Sequence, residues 1–214
     1  AVSKVAAERA LIESNLKYWV SLRQTGIIGE KMAEIQDSIM FHNCLDNVLE
    51  YVSDRDSGLL LSNLCKKTRE GTLDVSFWNH VYSIGGGEAC RMDTTSMYKH
   101  IYGQLGITDL SYVINPKLYA TQNFHGTYYL DSDVLNDYLD FRNDDMNYFY
   151  QYYLDQFGPL LPISKLVTKL PFGQYLIGKL LKLPIKKLPW EDRGTMQFID
   201  NNMTQEINAY WGSK

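Results

Sequence analysis

Apolar residues recur at helical spacing along much of this chain, and that pattern organises the first reading of it. From Ser3 to about Gln24 there are few breakers and many good helix formers. From Glu30 to Ser53, Met32, Ile35, Ile39, Val48 and Val52 fall on one helical face, with Glu30, Lys31, Glu34, Asp37 and Glu50 mainly elsewhere. Two antiparallel helices joined across Gly26 to Gly29 are the expected arrangement. A third helix is predicted over Ser57–Arg69, stopped by Gly71, and a short fourth over Asp74–Ser83.

Gly85, Gly86 and Gly87 then interrupt the chain, and Asp93 supplies N-cap chemistry for a helix running to Leu105. Residues 106–130 are punctuated by Gly106, Pro116 and Gly126 and are expected to form an irregular, aromatic-rich loop. A long helix is predicted from Ser132 to about Gln156, ended by Gly158 and Pro159, and a last broken one over residues 195–211. No alternation of strands with helices is visible. The expected fold is therefore mainly α, a single-domain bundle of six to eight helices without a parallel sheet. Its parts would be a helical body over 1–156, an arm over 157–190, and a C-terminal segment over 191–214 packed on the body.

Charge changes this picture at the arm. The 214 residues carry a formal net charge of −4, but Phe157 to Trp190 holds six lysines, Lys165, Lys169, Lys179, Lys182, Lys186 and Lys187, and no acidic residue. That leaves 15 basic against 25 acidic residues elsewhere. Pro159, Pro162, Pro171, Pro184 and Pro189 cut the arm into short pieces. In one piece Phe172, Leu176, Leu180 and Leu183 form a helical stripe beside Lys179 and Lys182, and Lys-Leu-Pro recurs three times, the last followed by Trp190.

Short cationic amphipathic helices with terminal aromatics suit an anionic membrane surface, where apolar burial and attraction to acidic lipid add. They also suit an acidic protein partner. The alternative is internal: leucines in the protein's own core, with lysines neutralising the seven aspartates of 131–155. Nucleic acid is not an expected partner, because the arm contains no arginine and the whole chain is acidic. Nine of the 16 tyrosines fall between Tyr112 and Tyr153, a composition that also fits a buried interface.

Candidate chemistry is sparse. Cys44, Cys65 and Cys90 have no paired spacing and are expected to be free thiols, as in a reducing compartment. Cys90 follows the three glycines and precedes Arg91, so a small-molecule pocket around Cys90, His80 and His100 is the enzymatic alternative. His42, His80, His100 and His125 show no metal-ligand spacing, and no cofactor or metal is expected. The longest uncharged runs are 13 residues, which predicts no transmembrane span. Charges spread through the first 20 residues argue against a signal peptide. The expected function is a structural or assembly subunit docking through the basic arm and the tyrosine-rich surface.

Overall fold

The computed structural model describes residues 2–29, 43–116, 119–120, 126 and 128–185. Among them are seven helices and five strands, so the fold is mixed α/β and the expected mainly α, single-domain helical bundle is wrong. Two segments taken as helical are strands: β1 (Val20–Gln24) and β3 (Val48–Ser53). A third, the proposed helix over Asp74–Ser83, is a 3-10 turn at Val75–Phe77 followed by β4 (His80–Ile84).

With β2 (Gly26–Ile28) and β5 (Arg91–Asp93), these strands form a two-stranded sheet, β1-β4, and a three-stranded sheet, β2-β3-β5. Both registers are parallel, Val20 opposite His80 and Gly26 opposite Tyr51. Parallel strands become covered on both faces and lose the two-residue alternation that would announce them. β3 is an example, buried without interruption from Glu50 to Ser53.

The chain divides into two compact units, residues 1–29, 50–91 and 128–146 in the first, and 30–49, 92–127 and 147–214 in the second. In the first unit, α1 (Val2–Ile12) precedes the strands and α2 (Asp54–Glu70) follows β3. α2 starts three residues before the expected Ser57 because Ser53 Oγ accepts the Asp56 amide, and it ends at Gly71 as expected. Its Leu60 packs with Val52, Phe77, Tyr82, Ile84 and, from α4 (Ser132–Leu139), Leu135 and Leu139. Phe77 stacks on Tyr82 at 5.3 Å. The long helix predicted over 132–156 is in fact broken: Asp140 adopts φ 48° and closes α4, and α5 (Met146–Asp155) begins six residues later.

A buried carboxylate joins these pieces. Glu50 is fully buried and accepts hydrogen bonds from Ser132 Oγ (2.7 Å), Arg91 Nε (2.9 Å), Gly87 N (3.0 Å) and Tyr129 N (3.2 Å). Burial pushes its pKa up, but these donors together outweigh it and hold the carboxyl below the usual range. The three-glycine run is thus no loose hinge: a Cβ at Gly85 would run into the Glu50 carboxylate, so only glycine lets the backbone approach. A second buried carboxylate, Asp56, accepts the amides of Asn143 and Asp144 at 3.0 Å each, bracing the chain between α4 and α5.

In the second unit, α3 (Thr94–Gln104) is capped by Asp93 Oδ1 on Ser96 N, as expected. α3 contributes Met97, Tyr98 and Ile101 to the buried residues, and α5 contributes Phe149, Tyr150 and Leu154. A 3-10 turn at Leu110–Tyr112, α6 (Leu160–Val167) and α7 (Gly173–Ile185) complete the described part. The predicted helix over 30–53 before Asn43, and the C-terminal segment 191–214, lie outside the described residues.

Candidate docking surface

The arm folds into α6 and α7. Its fully buried positions are small or polar, Ser164, Thr168, Gly173 and Gly178, and Leu161, Val167, Ile177 and Leu181 are half-buried beside them. Ser164 Oγ donates to Leu105 O at 2.7 Å, Thr168 Oγ1 donates to Ser164 O at 2.9 Å, and Gln174 Oε1 accepts Thr108 N at 3.0 Å. The Ser164 and Gln174 bonds satisfy inner polar atoms against the α3 to 3-10 segment, and the Thr168 bond does so within the arm itself.

Eight further large apolar side chains face outward. On α6 they are Leu160, Ile163 and Leu166, in the connecting turn Leu170 and Phe172, and on α7 Tyr175, Leu176 and Leu180. Every one is at least 51% exposed. Scattered exposed leucines are ordinary, but eight large apolar side chains within 21 residues make a dense display of the kind that marks interaction sites. Of the predicted stripe, Phe172, Leu176 and Leu180 therefore lie outside the core.

Lysines are interleaved with this face. Lys165, Lys169 and Lys179 are exposed and Lys182 is half-buried. Lys165 Nζ reaches Gln104 Oε1 and Lys182 Nζ reaches Ser111 O, both at 3.4 Å. No ion pair joins any of these four lysines to a carboxylate among the described residues. Within the first unit, Arg142 and Arg55 pair with Asp133 and Asp144. Lys186, Lys187 and Trp190 lie outside the described residues.

The predicted stripe began at Phe172 and missed Leu160, Ile163, Leu166, Leu170 and Tyr175. The acid-free composition, which already starts at Phe157, is the signal that would have included them. Beneath the turn, an open hollow of about 260 Å³ is bordered by Thr108, Asp109, Tyr112, Phe172, Gln174 and Tyr175. The Ser111 amide and hydroxyl hold the Asp109 carboxyl below the usual range.

The tyrosine-rich segment is divided. Tyr119 and Tyr150 are buried and Tyr138 packs on the first unit's core, whereas Tyr128 is 41% exposed under the Arg91 guanidinium.

The residues of the enzymatic alternative are each engaged elsewhere. Cys90 is buried in the first unit with its thiol donating to Asp144 O at 3.4 Å, and burial pushes its pKa up to about 11. A thiolate nucleophile needs the opposite shift. His80 is exposed on β4 with Nδ1 2.8 Å from Trp78 O, and His100 stacks on Tyr150 at 3.8 Å. Cys44 is buried and Cys65 exposed, and neither is bridged. No helix among the described residues is long and apolar enough to cross a membrane. No protein-family model matches this chain, and no curated protein matches it.

Proposed function

We propose that this chain is a structural subunit that docks on an anionic surface through the outward face of α6 and α7. One observation carries the reading: the arm fully buries only serine, threonine and glycine, and leaves eight large apolar side chains more than half exposed. Exposing so much apolar side chain is costly in isolation, and the cost is recovered when a second surface removes that area from water. The lysines set the sign of that surface, because none of the four described has a carboxylate partner of its own among the described residues.

Photo-crosslinking tests the reading in cells producing the full chain. A photoreactive side chain at Leu166 or Leu176 gives adducts, and the same group at Leu61 or Val75, exposed apolar positions in the first unit, does not. The adducts disappear when Lys165, Lys169, Lys179 and Lys182 are changed to Glu. Equal labelling from the two faces, or adducts indifferent to the lysines, refutes the proposal.

A further inference from the structure

The turn between α6 and α7 contains a strain that internal packing does not account for. Phe172 sits at φ 60°, in the left-handed region that a bulky side chain rarely adopts, and it is 87% exposed. The cause is local. Gly173 lies so close to the end of α6 that a Cβ there would strike the Val167 carbonyl. Its amide donates to Leu170 O at 2.9 Å while Phe172 O accepts Leu176 N at 3.0 Å, so the backbone has little latitude on either side of the ring. Glycine or asparagine at 172 would relieve the strain, yet the chain places there the most exposed aromatic among the described residues. Strain held without gain inside the fold points to a use outside it.

We infer that the 169–175 turn is a wedge that enters the acyl boundary of an anionic lipid bilayer, led by Phe172, with α6 and α7 lying in the headgroup layer. This rests on the docking reading above and names its occupant. Protein interfaces carry roughly one hydrogen bond per 100–200 Å² and favour arginine. The outward face offers aliphatic side chains, one phenylalanine and one tyrosine hydroxyl, with lysines around them and no arginine. Such a face specifies little except apolar depth and negative charge, which is what a bilayer presents. α6 and α7 have 8 and 13 residues, lengths that lie along an interface rather than cross it. Phe172 and Leu170 form the apolar tip, Lys169 stands beside them, and Tyr175 supplies a ring with a polar end suited to the headgroup boundary.

Flotation of the full chain with vesicles tests this, using phosphatidylcholine alone and phosphatidylcholine with about a third phosphatidylserine. Wild type floats with the anionic vesicles, releases as salt rises, and floats poorly with the neutral ones. Phe172→Gly and Phe172→Asn each weaken anionic binding by about tenfold or more, since a ring no longer leaves water. Their melting temperature stays level or rises, because both residues accept the left-handed backbone. A wild type that does not float, equal flotation on both vesicles, or a folded Phe172 variant that floats as wild type does would overturn the wedge. Crosslinks to protein from Leu166 and Leu176 without flotation sink the wedge and leave the docking reading standing, whereas neither crosslinks nor flotation sinks both.

Discussion

Glu50 on β3 and Lys179 on α7 are both charged side chains on regular elements, yet donors surround one and leucines and water surround the other. Both carboxylate oxygens of Glu50 are engaged, by a hydroxyl, a guanidinium and two backbone amides drawn from two separate stretches of chain, 87–91 and 129–132. Lys179 has no such company among the described residues, and its neighbours Leu176 and Leu180 are just over half exposed. A buried charge with its bonding complete serves the fold, and removing it leaves its partners stranded. An exposed charge among exposed apolar groups contributes little to folding, so its use is to be sought in what it meets.

The largest expected effect breaks the inward side of this contrast. Glu50→Ala leaves the Gly87 and Tyr129 amides and the half-buried Arg91 without their acceptor, and denaturant unfolding should show a loss of about 3–5 kcal/mol. Should the four-lysine reversal cost more than Glu50→Ala, the distinction between the regions collapses.

Acid applies the same stress without mutation. Because the folded-state pKa of Glu50 lies below its ordinary value of 4.5, its contribution is complete above that value and is lost as the pH falls through the lower folded value. A melting series from pH 7 to pH 3 should therefore fall mainly below about pH 4.5, and Glu50→Gln should flatten the fall. A smaller loss, about 1–2 kcal/mol, is expected for Asp56→Asn, which keeps one oxygen acceptor but loses the charge that holds the Asn143 and Asp144 amides. Smallest is the four-lysine reversal in the absence of any partner, under about 1 kcal/mol in total by the same unfolding assay.

Local chemistry made parts of this fold readable. α2 and α3 fall where they were predicted because Ser53, Gly71 and Asp93 mark their ends within a few residues. β3 departs from expectation because Val48 and Val52 satisfy helical spacing by coincidence, and its uninterrupted burial in a parallel pair leaves no alternation to contradict it. β1 follows a run of good helix formers, and its short alternation Val20-Ser21-Leu22-Arg23 is the signal that would have separated it. The break after α4 has no glycine or proline to announce it. Asp140 takes the left-handed turn itself, and Asn136 Oδ1 accepts the Phe141 and Arg142 amides beyond it.

The docking face was partly legible, since acid-free composition and lysine content are sequence properties. Which of its apolar positions stay exposed was not. That depends on the surface the helices meet, and here Leu105 O and Thr108 N, some 60 residues upstream, hold Ser164 and Gln174 and fix the side turned inward. The role of Glu50 was hidden for the same reason. Its partners lie 37 to 82 residues away, and only a lone carboxylate in the run Val48-Leu49-Glu50-Tyr51-Val52 hinted at it.

One consequence of that carboxylate concerns time rather than energy. The Gly87 and Tyr129 amides have no second acceptor once Glu50 is withdrawn, and Ser132 Oγ and Arg91 Nε share the same two oxygens. None of the four can let go alone without leaving a buried lone pair or amide bare, so these segments of the first unit open together. In deuterated solvent the Gly87 and Tyr129 amides should then exchange at one common slow rate, that of the whole unit's opening. The backbone of the Lys169–Gln174 turn, bonded mainly to itself at the surface, should exchange within the earliest time points.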